Sequence, residues 1–96
     1  MIPKTVKIGG YTVNVVYVQN MIPDNAACGQ YIPRTKTIQI DPSSCVDQQY
    51  ATFIHEMIEA ITEIYELPSL TNNHHDIVLL GEALHQILRD NPVIVP

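Results

Sequence analysis

Basic residues are scarce in this chain. Lys4, Lys7, Arg34, Lys36 and Arg89 are all it has, against ten acidic residues, for a formal net charge of −5. A nucleic-acid interface needs Lys and Arg clustered on one surface, and attraction to an anionic membrane needs the same. Five scattered cations supply neither, so nucleic acid and membrane are not expected as partners. No apolar run approaches the roughly 20 residues of a membrane-spanning helix. The N-terminal stretch "MIPKTVKIGG" lacks the long apolar core of a secretory signal. There are only two cysteines, Cys28 and Cys45, and they form no C-x-x-C pair. Free thiols in a cytoplasmic protein are the expectation, with a single disulfide as the alternative were the chain secreted. Internal repeats, low-complexity tracts and linkers are also missing.

What remains is the composition of one globular domain, residues 1–96, with 46% hydrophobic and 16% charged residues. The first forty residues read as sheet. "KTVKI" and "YTVNVVYVQ" are rich in Val, Thr, Tyr and Ile and are separated by Gly9-Gly10, a two-residue hairpin signal. Pro23, Asp24 and Asn25 mark a loop. "GQYI" and "TIQID" then form a second hairpin-like pair around "PRTK". Short strands with turn chemistry between them predict a small antiparallel sheet of three to four strands.

After "DPSS" the period changes from two to 3.6 residues. Ser44 followed three residues later by Asp47 matches an acidic variant of a capping box. From Val46 to about Glu66 the apolar residues fall at Tyr50, Phe53, Ile54, Met57, Ile58, Ile61, Ile64 and Tyr65, on one arc of roughly 140°. Leu67-Pro68 ends this helix. A second helix is expected from Thr71 to Asn73, all good caps, to about Asp90, with a core face of Ile77, Leu80, Leu84, Ile87 and Leu88. Asn91-Pro92 stops it, and "VIV" at 93–95 could add a short strand. The fold class is α+β: a small sheet followed by an antiparallel helix hairpin.

The first helix carries "TFIHEMIEAI". His55 and Glu59 are separated by four residues and so share a face, one turn apart. Glu56 lies about 100° round from His55. Two ligands at i and i+4 with a glutamate beside the first is the arrangement metallopeptidases use: the ligands fix the ion, and the adjacent carboxylate takes a proton from water. Read alone, the motif equally describes a solvated acidic stripe of Glu56, Glu59, Glu63 and Glu66.

A catalytic zinc site needs about three protein ligands. "NNHHDIVLLGEALH" offers the third. His74 shares a helix stripe with Ile77, Val78, Gly81 and His85, and that stripe borders the core face. His75 points about 100° away and stays open as the alternative. His85 stands eleven residues from His74, about 16 Å along a helix, too far for the same ion, and reads as a boundary histidine. His55, Glu59 and His74 together make a two-histidine, one-carboxylate set. Such a set holds zinc, and also suits Fe(II), Mn(II) or Co(II). Tyr31, Tyr65 and His75 are candidate oxyanion donors on residue type alone.

With "KIGGYTVNVV", "HEMIEAI" and "LHQILRDN" in that order, the chain resembles small phage- and prophage-encoded zincin-like proteins, a group akin to minimal gluzincins. The resemblance spans nearly the whole chain. It implies a metal-dependent peptidase scaffold in the cytoplasm of a bacterial host, with His55 as a ligand, Glu56 as general base and a peptide or protein as substrate. It also admits an inactive binding module that keeps the scaffold for a protein partner. Glu59 stands where the usual motif has a second histidine.

Overall fold

The computed structural model describes residues 2–19 and 28–91. Four strands come first: β1 Thr5–Ile8, β2 Tyr11–Tyr17, β3 Gly29–Ile32 and β4 Thr37–Ile40. Helices α1 Val46–Ile64, α2 Pro68–Thr71 and α3 His74–Asp90 follow. This is the α+β order the change of period predicts. The Pro23–Asn25 loop and the strand at 93–95 lie outside the described residues.

The β1–β2 turn forms where the two glycines stand, with Ile8 paired to Tyr11. Gly9 takes φ +59°, which a side chain disfavours, and a Cβ there would come within 3.1 Å of Ile64 Cγ2. β3 and β4 pair antiparallel around a turn closed by the Lys36 N–H on the Pro33 carbonyl.

The strand order is β1-β2-β4-β3, and β2 runs parallel to β4. One pair of the sheet therefore departs from the antiparallel arrangement expected. Alternation identifies which face of a strand is apolar, but not which neighbour it takes. The burial pattern supplies the reason. Ile38 and Ile40 are both fully buried, so β4 belongs in the interior of the sheet. β3, with Gly29 and exposed Gln30, fits the edge.

α1 lies across the sheet. Val13, Val15, Ile38, Ile40 and Ile8 meet Phe53, Ile54, Ile58 and Ala60, and Ile77 of α3 completes the core. α1 begins one residue later than the Ser44 cap implies. Cys45 is the N-cap without a side-chain bond, and Ser44 Oγ donates instead to the Asp41 carbonyl. Asp47 still sits in the first turn, where the helix dipole favours a carboxylate. Glu66 at φ +53° turns the chain. Pro68, expected only to end α1, opens the single-turn α2 because proline suits a first helical position. Asn73 caps α3 by accepting the Asp76 N–H.

α3 packs on α1 and α2. Helix-on-helix contact buries only a narrow stripe. Ile77 and Gly81 are buried, whereas Leu80 and Ile87, placed in the core face by periodicity, are exposed. No helix among the described residues is long and apolar enough to cross a membrane.

Candidate metal centre

Periodicity alone puts His55 and Glu59 opposite the apolar arc of α1. In the fold that side is only partly open to water, because α3 covers much of it: Thr62, on the same side, is buried and donates to the Glu59 carbonyl. α1 is thus sandwiched, with the sheet on one side and α3 on the other. Between α3 and the edge strand β3 lies a groove of about 940 Å³, floored by α1.

Three donor atoms meet in this groove. Glu59 Oε2 is 3.7 Å from His55 Nε2 and 3.7 Å from His74 Nδ1. One ligand atom from each of His55, Glu59 and His74 lies within 4.8 Å of the others. The two imidazoles meet edge-on, with ring centroids 5.3 Å apart. The i, i+4 spacing accounts for the first pair. The second depends on α2, the extra turn that lets α3 start beside Glu59. The His55 side chain is 22% exposed and that of His74 71%, so the cluster opens from a half-buried floor to a solvent-facing rim. His75 is exposed and lies outside the groove lining.

The electrostatics suit a cation. Burial lowers the His55 pKa below its ordinary value, against the pull of the Glu59 carboxylate and with help from His74. A lowered value favours the neutral imidazole, the form that coordinates a metal. Metal–ligand bonds of about 2.0–2.2 Å place tetrahedral ligand atoms roughly 3.3–3.6 Å apart. The two 3.7 Å pairs are close to that spacing.

Glu56 stands beside the three. Its side chain is 12% exposed, and one carboxylate oxygen is 3.9 Å from His55 Nε2. Its pKa is raised to about 7, chiefly by burial and then by the charge of Glu59. The backbone N–H of Tyr31 bonds the carboxylate and pulls the other way. A carboxylate with a pKa near neutrality is suited to accept and release a proton.

The rest of the groove was not legible from motifs. Gly29 brings β3 so close to α1 that an added Cβ would strike Thr52 Cγ2 and lie 2.8 Å from the Gln39 carbonyl. That approach delivers the Tyr31 N–H to Glu56. The Tyr31 hydroxyl donates to Glu63 at 2.7 Å, and Lys36 pairs with the same carboxylate at 3.2 Å. Burial and the Glu63 carboxylate push the Tyr31 pKa up, keeping the hydroxyl a donor. Of the three oxyanion candidates, Tyr31 lines the groove, whereas Tyr65 and His75 do not. His85 sits well along α3, with Nε2 3.2 Å from Asp47. Cys28 and Cys45 are free thiols.

Gly81 lies against His55. A methyl group there would sit 3.5 Å from His55 Cα and 3.8 Å from Ile58 Cδ1, ordinary contact distances. Gly81→Ala is therefore expected to stabilise the chain by about 0.5–1 kcal/mol through helix propensity. Metal affinity should not change. A lower melting temperature in a thermal scan would show that α3 cannot tolerate even that methyl.

No family model, curated protein or solved structure matches the chain.

Proposed function

We propose that this chain is a zincin-like, zinc-dependent protein that hydrolyses peptide bonds in a cytoplasmic setting. In this reading His55, Glu59 and His74 hold the ion and Glu56 is the general base. The observation that carries it is the convergence of three donor atoms from two helices within 4.8 Å, beside a buried carboxylate poised near neutral pH. When bound, zinc supplies Lewis acidity toward a carbonyl and toward water.

The chain's own residues supply the rest. Glu56 takes the proton from water and returns it to the leaving nitrogen. The Tyr31 N–H holds the Glu56 carboxylate in orientation. β3 is an edge strand whose Tyr31 amide points off the sheet. In antiparallel pairing the carbonyl of the same residue points the same way; with the amide engaged by Glu56, that carbonyl is the group β3 offers to an extended peptide lying in the groove.

Metal content, measured by plasma mass spectrometry on untagged protein purified without chelators, tests the proposal. Zinc near one per chain is expected, and the same assay distinguishes Fe(II), Mn(II) and Co(II). His55→Ala and His74→Ala should each weaken binding at least about 10–100-fold, since even partners one shell further from a metal cost that much. His75→Ala should change nothing. A chain that neither carries nor takes up a divalent ion would sink the proposal. Zinc binding without turnover of any peptide would leave the scaffold as a binding module.

A further inference from the structure

We infer that His85 and Arg89 form a carboxylate-binding subsite at one end of the groove, taking an acidic side chain or a free C-terminus of an extended peptide. The inference rests on the reading of the groove as a peptide site, and it adds what that peptide must carry.

Charge is segregated along the groove. Its middle holds Glu56, Glu59 and Glu82, whereas Arg89 is the one Lys or Arg among the described residues that line it. The Asp47 carboxylate now lies between the two donors, with Oδ1 3.2 Å from His85 Nε2 and Oδ2 3.4 Å from Arg89 Nη1. The two side chains thus each reach one oxygen of the same carboxylate, while Arg89 Nε also donates to Asp90 Oδ1 at 3.2 Å. The His85 side chain is only 14% exposed, so its ring is held in place by its surroundings.

The present occupant is easily displaced. The Asp47 side chain is 60% exposed, and exposed ion pairs are weak. Its site in the first turn of α1 keeps a favourable helix-dipole interaction even when the carboxylate swings into water. Asp47 therefore acts as a stand-in that an arriving carboxylate replaces.

The position of the subsite sets the register. Asp47 lies eight residues before His55 on α1, about 12 Å along the axis. His85 lies eleven residues from His74, about 16 Å along α3. An extended peptide advances about 3.3 Å per residue. The carboxylate thus belongs roughly four residues from the one at the His55–Glu59–His74 cluster.

Side-chain NMR of the full chain tests this, with and without zinc. The probes are N-acetyl-tetraalanine with a free carboxylate, the same peptide amidated, and an amidated version with one internal aspartate. At least one carboxylate peptide should move the His85 ring and Arg89 Nε–H signals, and the amidated tetraalanine should not. A response to the free terminus alone assigns C-terminal recognition; a response to internal aspartate alone assigns side-chain recognition. Asp47→Asn, which removes one internal competitor and leaves Asp90 on Arg89 Nε, should tighten carboxylate binding about two- to five-fold. Arg89→Gln and His85→Gln should each weaken it. Equal response to the acid and the amide, or no tightening in Asp47→Asn, would overturn the subsite. The two proposals fail separately. Zinc uptake with no carboxylate preference removes the subsite alone. A carboxylate response in a chain that takes up no zinc removes the metal centre alone.

Discussion

Glu56→Gln is expected to cut peptide turnover by the zinc-loaded chain about 10²–10⁴-fold, while zinc content stays at the parent level. The same substitution should raise the melting temperature of the metal-free chain at alkaline pH. Both effects have one cause. Glu56 is buried beside Glu59, and its pKa in the fold is raised to about 7. The folded chain therefore binds this proton more tightly than the unfolded chain does. The corresponding stability is complete below the ordinary carboxylate value and is lost as pH rises through about 7. Above that, holding the ionised carboxylate in place costs on the order of 3 kcal/mol. Glutamine has nearly the same shape, keeps an oxygen to accept the Tyr31 N–H and carries no charge. The gain should be largest near about pH 8.5 and vanish near about pH 4, in line with the titration of the native residue. Melting curves across that range check the sign. A variant no more stable than the parent at alkaline pH would show that Glu56 is not held in a desolvated site. Equal turnover in variant and parent would remove it from the chemistry.

Gly29→Ala should destabilise the fold severely for so small a change. Its methyl would strike Thr52 Cγ2 and lie 2.8 Å from the backbone carbonyl of Gln39. Thr52 is buried, and Gln39 belongs to the interior strand β4, so neither neighbour has room to give. β3 must then lift away from α1. Overpacking of this kind costs about 1–3 kcal/mol, which in a domain of this size lowers the melting temperature by roughly 10 °C. As β3 lifts, the Tyr31 N–H leaves the Glu56 carboxylate. Gly10→Ala is the control, because a Cβ there meets nothing within 4 Å. Circular-dichroism melts of the two variants settle the point. If Gly29→Ala melts with Gly10→Ala, the close approach of strand to helix is not a requirement of the fold.

The local code of this chain is readable from its residues. Gly9-Gly10 gives the first hairpin, Asn73 caps α3, and the change of period after Ser44 marks the passage from sheet to helices. The i, i+4 spacing puts His55 and Glu59 on one helix face, and helix geometry guarantees that without any knowledge of the fold. Sequence also offered His74 as a third donor with His75 beside it. Only the tertiary structure sets them apart in space, with His74 beside Glu59 and His75 outside the groove, because that placement depends on where α3 begins relative to α1. The parallel pairing of β2 with β4 was hidden for a related reason: alternation encodes the faces of a strand but not its neighbours. Leu80 and Ile87 looked like core because periodicity reports an apolar face, not how wide a stripe the partner helix will cover. The features that shape the groove were the least legible. Gly29 against Thr52, the Tyr31 amide on Glu56, and Asp47 between His85 and Arg89 join residues 23 to 42 positions apart. No local pattern records such contacts; they exist only once packing of the helices against the sheet has brought the segments together.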